Sequence, residues 1–132
     1  MKITAIDHVQ IAVPPELEQA ALAFYGNVLG LRRLQKPEGT GDTHGAWFHA
    51  GNIQLHVGIQ QNDFKPATKA HPGLVVENLA EAQAALEAAG VPVKPGSDIP
   101  GFKRLFTQDP AGNRLEFMQP ITRPAKAGES SE

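Results

Sequence analysis

A carboxylate set among apolar residues marks the stretch of the sequence with the clearest potential for chemistry. Residues 109–118 form a polar turn, with Pro, Gly and Asn, that leads into a strand-like run containing Glu116. Successive side chains of a strand point to opposite faces, so Leu115 and Phe117 share one face, while Glu116 shares the other with Arg114. Because a glutamate is rarely buried alone, we expect Glu116 to face water at an edge or to pair with a cation.

Histidines occur in the same kind of setting elsewhere in the chain. His8 and His56 lie on the polar faces of half-apolar strand-like runs, and His71 stands at the start of another apolar run. A lone histidine on a strand is more often a structural or surface residue than a ligand. We interpret His44, in a glycine-rich loop, and His49, beside a turn, in that way.

The spacing of the other candidates repeats along the chain. His8 and His56 are 48 positions apart (56 − 8), and His71 and Glu116 are 45 positions apart (116 − 71). The tripeptide Ala-Gly-Asn precedes the last strand of each half. Two similar units would each carry one candidate ligand on the first strand and one on the last, where pseudo-twofold packing would bring them together. The sequence therefore predicts a shared metal site formed by His8, His56, His71 and Glu116.

The donor types limit the metal and its chemistry. The chain has no cysteine, which excludes a thiolate metal site, a cysteine nucleophile and a disulfide framework. Imidazole and carboxylate donors suit a divalent Zn, Ni, Mn or Fe ion, and ligand chemistry alone does not choose among these metals. A six-coordinate ion with four protein ligands keeps two adjacent positions open. Those positions can hold two neighbouring substrate oxygens, polarise a carbonyl and stabilise an enediolate or similar oxyanion.

The hydrophobic pattern predicts the elements that position these residues. In the first half it predicts strands at 3–13, 31–34, 46–50 and 53–59 and a helix at 16–29. In the second half it predicts strands at 71–77, 91–94, 102–108 and 114–119 and a helix at 79–89. The order strand, helix, strand, loop, strand, strand thus occurs twice, which indicates an α+β fold with an internal repeat.

Length and composition are those of an ordinary globular protein. The chain has 132 residues, 41% of them hydrophobic and 20% charged, with a net charge of −2, and no basic stripe favours a nucleic-acid partner. Neither a secretory signal nor a membrane-spanning run is present, so we expect a cytoplasmic protein with no membrane partner. We expect one domain over residues 1–120, with module one at 1–60 and module two at 70–120, followed by a disordered tail at 121–132.

Three segments carry a family resemblance: Asp7 to Val9, Phe24 to Leu31 and Asp109 to Phe117. Through these segments, residues 3–120 resemble the vicinal oxygen chelate superfamily, the group of glyoxalases, bleomycin-resistance proteins and extradiol dioxygenases. The resemblance implies paired βαβββ modules that form a half-barrel around a metal and act on a small-molecule substrate. It also implies a homodimer, since the half-barrel is commonly completed between two subunits by exchange of modules.

The resemblance also extends to individual residues. The family's first-strand histidine resembles His8, its second-module histidine resembles His71, and its last-strand glutamate resembles Glu116. His56 is the departure, because glyoxalase I has a carboxylate or amide there. For similar chemistry Glu116 must then supply the base, since a metal-bound imidazole has no free lone pair. Alternatively, His56 is a hydrogen-bonding neighbour rather than a ligand, and the remaining triad resembles fosfomycin-type thiol transferases and extradiol dioxygenases.

Three further residues are candidates for contacting the substrate. Arg104, which alternates with Phe102 and Phe106, either binds an anionic substrate or pairs with a carboxylate at the rim. Gln10 either orients the substrate or makes a plain hydrogen bond, and Trp47 is either a stacking platform or a core residue.

We therefore predict a metal-dependent, glyoxalase-like lyase or isomerase that chelates a small vicinal-oxygen substrate, with Glu116 as its catalytic base. An Fe(II) extradiol-type dioxygenase or a thiol transferase is the alternative among enzymes. A non-catalytic ligand-binding protein of the bleomycin-resistance kind is the alternative of another class.

Overall fold

Two four-stranded mixed sheets, one from each half of the chain, form the framework of the computed structural model, which describes residues 1–41 and 43–121. The first half supplies β1 (His8–Val13), β2 (Arg32–Leu34), β3 (Ala46–Ala50) and β4 (Ile53–Ile59). The second half supplies β5 (Gly73–Val75), β6 (Lys94–Pro95), β7 (Phe102–Gln108) and β8 (Arg114–Pro120). The sheet orders are β1-β4-β3-β2 and β5-β8-β7-β6, so the first and last strands of each half are parallel neighbours.

The strand register shows which residues of the first half correspond to which residues of the second half. Gln10 of β1 lies opposite His56 of β4, as Gly73 of β5 lies opposite Glu116 of β8. On the other side of the last strand, β3 and β7 pair antiparallel with β4 and β8. His56 and Glu116 therefore occupy corresponding positions in the two sheets.

One helical segment follows the first strand of each half. In the first half a 3₁₀ turn (Pro15–Leu17), α1 (Glu18–Ala23) and a π-helical turn (Phe24–Val28) run on continuously, and α2 (Leu79–Ala88) serves the second half. Asn78 caps α2, because its side-chain oxygen accepts a hydrogen bond from the Glu81 backbone N–H at 3.0 Å. Gly30 and Gly90 follow the two segments with positive φ angles of 70° and 74°, the conformation in which helices commonly end.

The structure shortens several predicted strands, including the one predicted at 91–94, of which only Lys94 lies in β6. Two of the changes concern the candidate ligands. The strand predicted at 3–13 begins only at His8, because its neighbour β4 offers its first partner, Gln54, at that residue. Ile3 and Ile6 precede the sheet and are exposed. The strand predicted at 71–77 is reduced to three residues, so His71 lies just before it rather than within it.

Buried apolar side chains from both halves form one core. They include Val13, Tyr25, Phe48, Leu55, Leu86, Leu105 and Leu115. The apolar faces of the two sheets thus turn toward the helices and the core, which leaves the opposite faces for the polar side chains of β1, β4 and β8.

The polar turn before β8 joins the two halves. The buried Tyr25 hydroxyl donates a hydrogen bond to Asp109 Oδ2 at 2.7 Å. Asn113 Nδ2 donates to the Ala12 carbonyl oxygen at 2.8 Å, and Asn113 Oδ1 accepts from the Ala67 backbone N–H at 2.9 Å. The Asp-Pro-Ala-Gly-Asn motif is therefore a structural connector that fixes β8 relative to the first half.

The predicted α+β fold with two βαβββ modules is confirmed, whereas pairing or exchange of modules between copies involves a second chain and stays a prediction. The tail predicted to be disordered, residues 121–132, lies outside the described residues except for Ile121, whose N–H donates to the Gly101 carbonyl at 2.8 Å. Across the two described ranges, no helix has the length and apolar character needed to cross a membrane.

Candidate functional site

His71 and Glu116 form a hydrogen-bonded imidazole–carboxylate pair in the second half. His71 Nε2 lies 2.8 Å from Glu116 Oε1, while the opposite ring nitrogen, Nδ1, lies 2.9 Å from the Lys69 carbonyl oxygen. The Lys69 carbonyl can only accept, so Nδ1–H donates to it and Nε2 faces the carboxylate. A shared cation, either a proton or a metal ion, must lie between Nε2 and the carboxylate, and histidine ligands in metal sites are commonly oriented by a hydrogen bond from the other ring nitrogen in this way. Two donors about 2.1 Å from an ion and at right angles are about 3 Å apart, so this pair fits half of a metal site.

Arg104 is the cation that accompanies Glu116. Its Nη1 lies 3.5 Å from Glu116 Oε2, while Nε donates to the Ser97 carbonyl oxygen at 2.7 Å and Nη2 to Ser97 Oγ at 3.3 Å. The guanidinium is therefore held by the loop before β7 and turned toward the carboxylate. Of the two roles predicted for Arg104, pairing with a carboxylate is the one that these contacts show.

In the first half, three aromatic rings form a column. The His56 ring stacks on Trp47 at a centroid distance of 4.0 Å and on His8 at 4.3 Å, with interplanar angles of 3° and 10°. His56 is only 5% exposed, and its Nε2 lies 2.9 Å from Gln54 Oε1. Burial, followed by the neighbouring His8, lowers the pKa of His56, so its ring is neutral at pH 7. Trp47 thus stacks on a predicted site residue rather than filling the core.

The stacked rings do not form a chelating pair as they stand. A metal bound by imidazole lies in the plane of the ring, along the nitrogen lone pair, and two nearly parallel stacked planes cannot both contain one ion. His8 is the better placed of the two histidines, because its side chain is 47% exposed and Asp7 Oδ2 accepts from Nδ1 at 2.9 Å, which leaves Nε2 available. For His56 to bind the same ion, it must leave the Trp47 stack.

The four predicted ligands lie in two separate pairs. His8 contacts His56, and His71 contacts Glu116, but no group of three or more His, Asp or Glu side chains arranged to hold a metal exists among the described residues. Within the described residues of one chain, the four predicted ligands therefore form two pairs rather than one metal site.

A cleft of about 910 Å³ opens beside the His71 and Glu116 pair. Its walls come from the linker before β5, from β6 and the loop after it, and from β7 and β8, and they include His71, Arg104 and Phe106. A Cβ atom placed on Gly96 would lie 2.9 Å from Arg104 Cγ and from Phe106 Cε2, so the loop after β6 packs closely on these two side chains. The cleft therefore has a well-packed wall next to the candidate base.

Gln10, predicted to contact substrate, lies on the same sheet face as the aromatic column. It sits opposite His56 in the strand register, and its side chain lies over Gly58, since a Cβ atom there would be 2.5 Å from Gln10 Nε2. The structure thus places Gln10 with the first pair of candidate ligands and apart from the cleft.

Sequence reasoning did not assign a role to three cations of the cleft, Lys69, Lys94 and Arg114. The sequence did carry a signal for Arg114, because it stands two residues before Glu116 and therefore on the same strand face. Lys94 ends the strand predicted at 91–94, but its position beside Phe106 follows from the pairing of β6 with β7, which the sequence alone does not give.

Comparisons with known proteins agree with this architecture. Residues 5–117 match the model of the Glyoxalase/Bleomycin resistance protein/Dioxygenase superfamily. A solved glyoxalase family protein from Bacillus anthracis is 38% identical with a TM-score of 0.84, and the match covers 92% of this chain and 98% of that one. A search of curated proteins found no significant match.

Two solved structures with lower sequence identity have the same fold but are described as different kinds of protein. A lactoylglutathione lyase from Agrobacterium tumefaciens is 21% identical, with a TM-score of 0.69 and coverage of 90% of this chain and 96% of that one. TnmS3, an antibiotic binding protein from Streptomyces sp. CB03234, is 19% identical, with a TM-score of 0.73 and coverage of 92% and 99%. The family match over most of the chain confirms the predicted resemblance, and the protein belongs to the Glyoxalase/Bleomycin resistance protein/Dioxygenase superfamily.

Proposed function

We propose that this protein is a metal-dependent, glyoxalase-like lyase or isomerase that acts on a small substrate with two neighbouring oxygens. The observation that carries the proposal is the His71 and Glu116 pair, in which a tautomer-fixed imidazole nitrogen and a carboxylate oxygen converge at 2.8 Å beside an open cleft. A lyase among the structural neighbours supports an enzymatic role for this fold.

The metal site of this proposal is shared between two copies of the chain. His71 and Glu116 of one copy supply one half, and His8 of the other copy supplies the second half, because one chain alone brings no three ligands together within its described residues. His56 joins as a fourth ligand only if it leaves its stack with Trp47. The homodimer is thus a requirement of the proposed site, with Zn, Ni, Mn or Fe as the ion.

The residues around the site have separate roles in proton transfer. A divalent ion bound there would supply Lewis-acid polarisation of a substrate carbonyl. Glu116 accepts the substrate proton, since its carboxylate is the only one in contact with the His71 imidazole in the described structure. Arg104, fixed by Ser97, holds the second carboxylate oxygen and keeps it from rotating away.

Elemental analysis of untagged protein tests the metal site. We expect near-stoichiometric metal in the parent and loss of most of it in His71→Ala and Glu116→Gln. His49→Ala is the matched control, because His49 is an exposed histidine on β3 and is not one of the predicted ligands. Unchanged metal content in folded His71→Ala protein would contradict the proposal.

A non-catalytic binding function is the second candidate. The column of Trp47, His56 and His8 offers a flat aromatic surface of the kind that stacks on a planar ligand, and an antibiotic binding protein has the same fold. In this function the histidines are structural, and the purified protein takes up no metal. Tryptophan fluorescence then reports ligand directly, since Trp47 is the only tryptophan.

A further inference from the structure

Four cations line the cleft of the second half, and no carboxylate lies among the described residues that line it. These cations are Lys69, Lys94, Arg104 and Arg114, and we call the space between them the basic cleft. The whole chain carries a net charge of −2, so this positive charge is a local concentration rather than a general property of the surface. Like charges in one cleft raise its potential and favour an anionic occupant.

Arg114 is the cation of the basic cleft whose side chain is held in place while its N–H donors stay unused in the described structure. Its guanidinium lies over the Phe106 ring at 4.2 Å, which holds it in place without using its N–H donors. No hydrogen bond or ion pair engages the Arg114 side chain within the described ranges, whereas Arg104 is occupied by Ser97 and Glu116. The fork of an arginine matches the paired oxygens of carboxylate and phosphoryl groups.

Lys94 lies on the strand next to Phe106 and lines the same cleft. It lies opposite Phe106 in the register of β6 and β7, so its side chain leaves the sheet on the same face. No ion pair binds the Lys94 ammonium in the described part of the protein. Lys94 and Arg114 therefore both line the basic cleft beside Phe106, and no carboxylate pairs with either in the described structure.

The positions of the first half that correspond to Lys94 and Arg114 carry no cations, so the internal repeat does not account for the positive charge. Trp47 faces His56 as Phe106 faces Glu116, and Leu34 pairs with Trp47 as Lys94 pairs with Phe106. Two residues before the last-strand ligand, the first half has Gln54 where the second has Arg114. The positive charges are therefore specific to the half that carries the candidate base, Glu116.

We propose that Arg114 and Lys94, which both line the basic cleft next to Phe106, bind a carboxylate or phosphoryl group of the substrate. Arg114 and Glu116 are two residues apart on one strand, a Cα separation of about 7 Å. The substrate is then a small acid whose anionic group binds on the same sheet face as the carboxylate that deprotonates it. The inference rests on the proposed function for the role of Glu116, but the anion subsite exists without it.

Calorimetric titration at low ionic strength, with inorganic phosphate and with malonate as separate probes, tests the subsite. We expect saturable binding of at least one probe, weakened about tenfold or more in Arg114→Met and in Lys94→Met, since each change keeps an apolar stem and removes one charge. Arg32→Met is the matched control, because Arg32 is an exposed arginine of the first half, and it retains parental affinity. Circular dichroism confirms that each variant is folded.

The two probes separate the possible anions, and a further variant separates this inference from the proposed function. Binding of phosphate alone indicates a phosphoryl group, and binding of malonate alone indicates a carboxylate. His71→Ala should lose metal yet keep its affinity for the probe. No binding of either probe, or equal affinity in a folded Arg114→Met, Lys94→Met double variant, overturns the subsite while leaving the metal proposal standing. If the parent protein binds the anion but takes up no metal, the metal proposal fails while the anion subsite stands.

Discussion

Replacing Tyr25 by Phe removes one oxygen from the connection between the two halves of the chain. The Tyr25 hydroxyl is buried and donates to Asp109 Oδ2 at 2.7 Å, across 84 residues of sequence. Asp109 also accepts from the backbone N–H groups of Ala111 and Asn113 and from Asn113 Nδ2, so its charge is held by four donors. The variant leaves three of them.

The expected loss follows from the charge of the acceptor. A hydrogen bond to a charged group contributes about 1.5–3 kcal/mol, and the carboxylate stays buried after the change, so we expect the free energy of unfolding to fall by about 2 kcal/mol. For a domain of this size this lowers Tm by about 8 °C. Thr107→Val is the control, because Thr107 Oγ1 donates to a neutral carbonyl, that of Pro92, at 2.7 Å within one half. It should cost about 1 kcal/mol.

The same contact predicts instability in alkali. Burial, with the adjacent Asp109 charge, raises the pKa of Tyr25 above its ordinary value of 10.0. The folded state then holds the phenol proton more tightly than the unfolded state, so the stabilisation is complete below pH 10 and falls above it by about 1.4 kcal/mol per pH unit. Tyr25→Phe lacks this contribution to the slope.

Urea denaturation and tyrosinate absorbance together check both parts. Tyr25 is the only tyrosine, so absorbance of tyrosinate should appear only as the circular dichroism of the fold disappears. Ionisation of Tyr25 near pH 10 in folded protein would refute the reasoning. So would a Tyr25→Phe variant that unfolds within about 0.5 kcal/mol of the parent, a difference expected of surface substitutions.

Two further predictions concern the walls of the site. Fluorescence emission from Trp47 should change as His56 protonates, because the two rings are stacked. Since burial lowers the pKa of His56, the change should occur below the ordinary histidine range, and it should be absent in His56→Gln. An unaltered pH profile in that variant would contradict the stacking. Gly96→Val should destabilise the fold by about 1–3 kcal/mol and weaken anion binding, since its Cβ would lie 2.9 Å from Arg104 and Phe106. Gly26→Ala, whose nearest contact is 3.5 Å from Phe48, should change neither property, and equal effects of the two substitutions would argue against the packing described for the cleft.

The fold was largely predictable because its periodicities are local. Alternation along β4 and β8 and the two helical segments identify both modules, and the Ala-Gly-Asn tripeptides reveal the repeat. Strand ends were less predictable, because pairing partners rather than propensity decide them: β1 begins where Gln54 becomes available. The polar turn at Asp109 carried a strong motif, but its role is structural, which only its contact with the distant Tyr25 reveals.

The candidate site was predictable by residue type and less so by arrangement. Alternation on the strands identified His8, His56 and Glu116 as residues of the polar faces, and the register agrees with their correspondence. The stacking of His56 on Trp47 depends on the side-chain positions of three strands, which no single-strand pattern contains. Lys94 was missed because only the pairing of β6 with β7 brings it beside Phe106.

Mixing two metal-free variants tests the shared site most directly. In a dimer with exchanged modules, His8→Ala and His71→Ala each damage both sites, whereas a mixed dimer has one site with both histidines intact. After unfolding and refolding an equimolar mixture, half of the dimers are mixed, so we expect metal to return to about a quarter of the parental content. A mixture that stays as metal-free as the separate variants, in protein shown to be folded, would contradict a metal site shared between two copies.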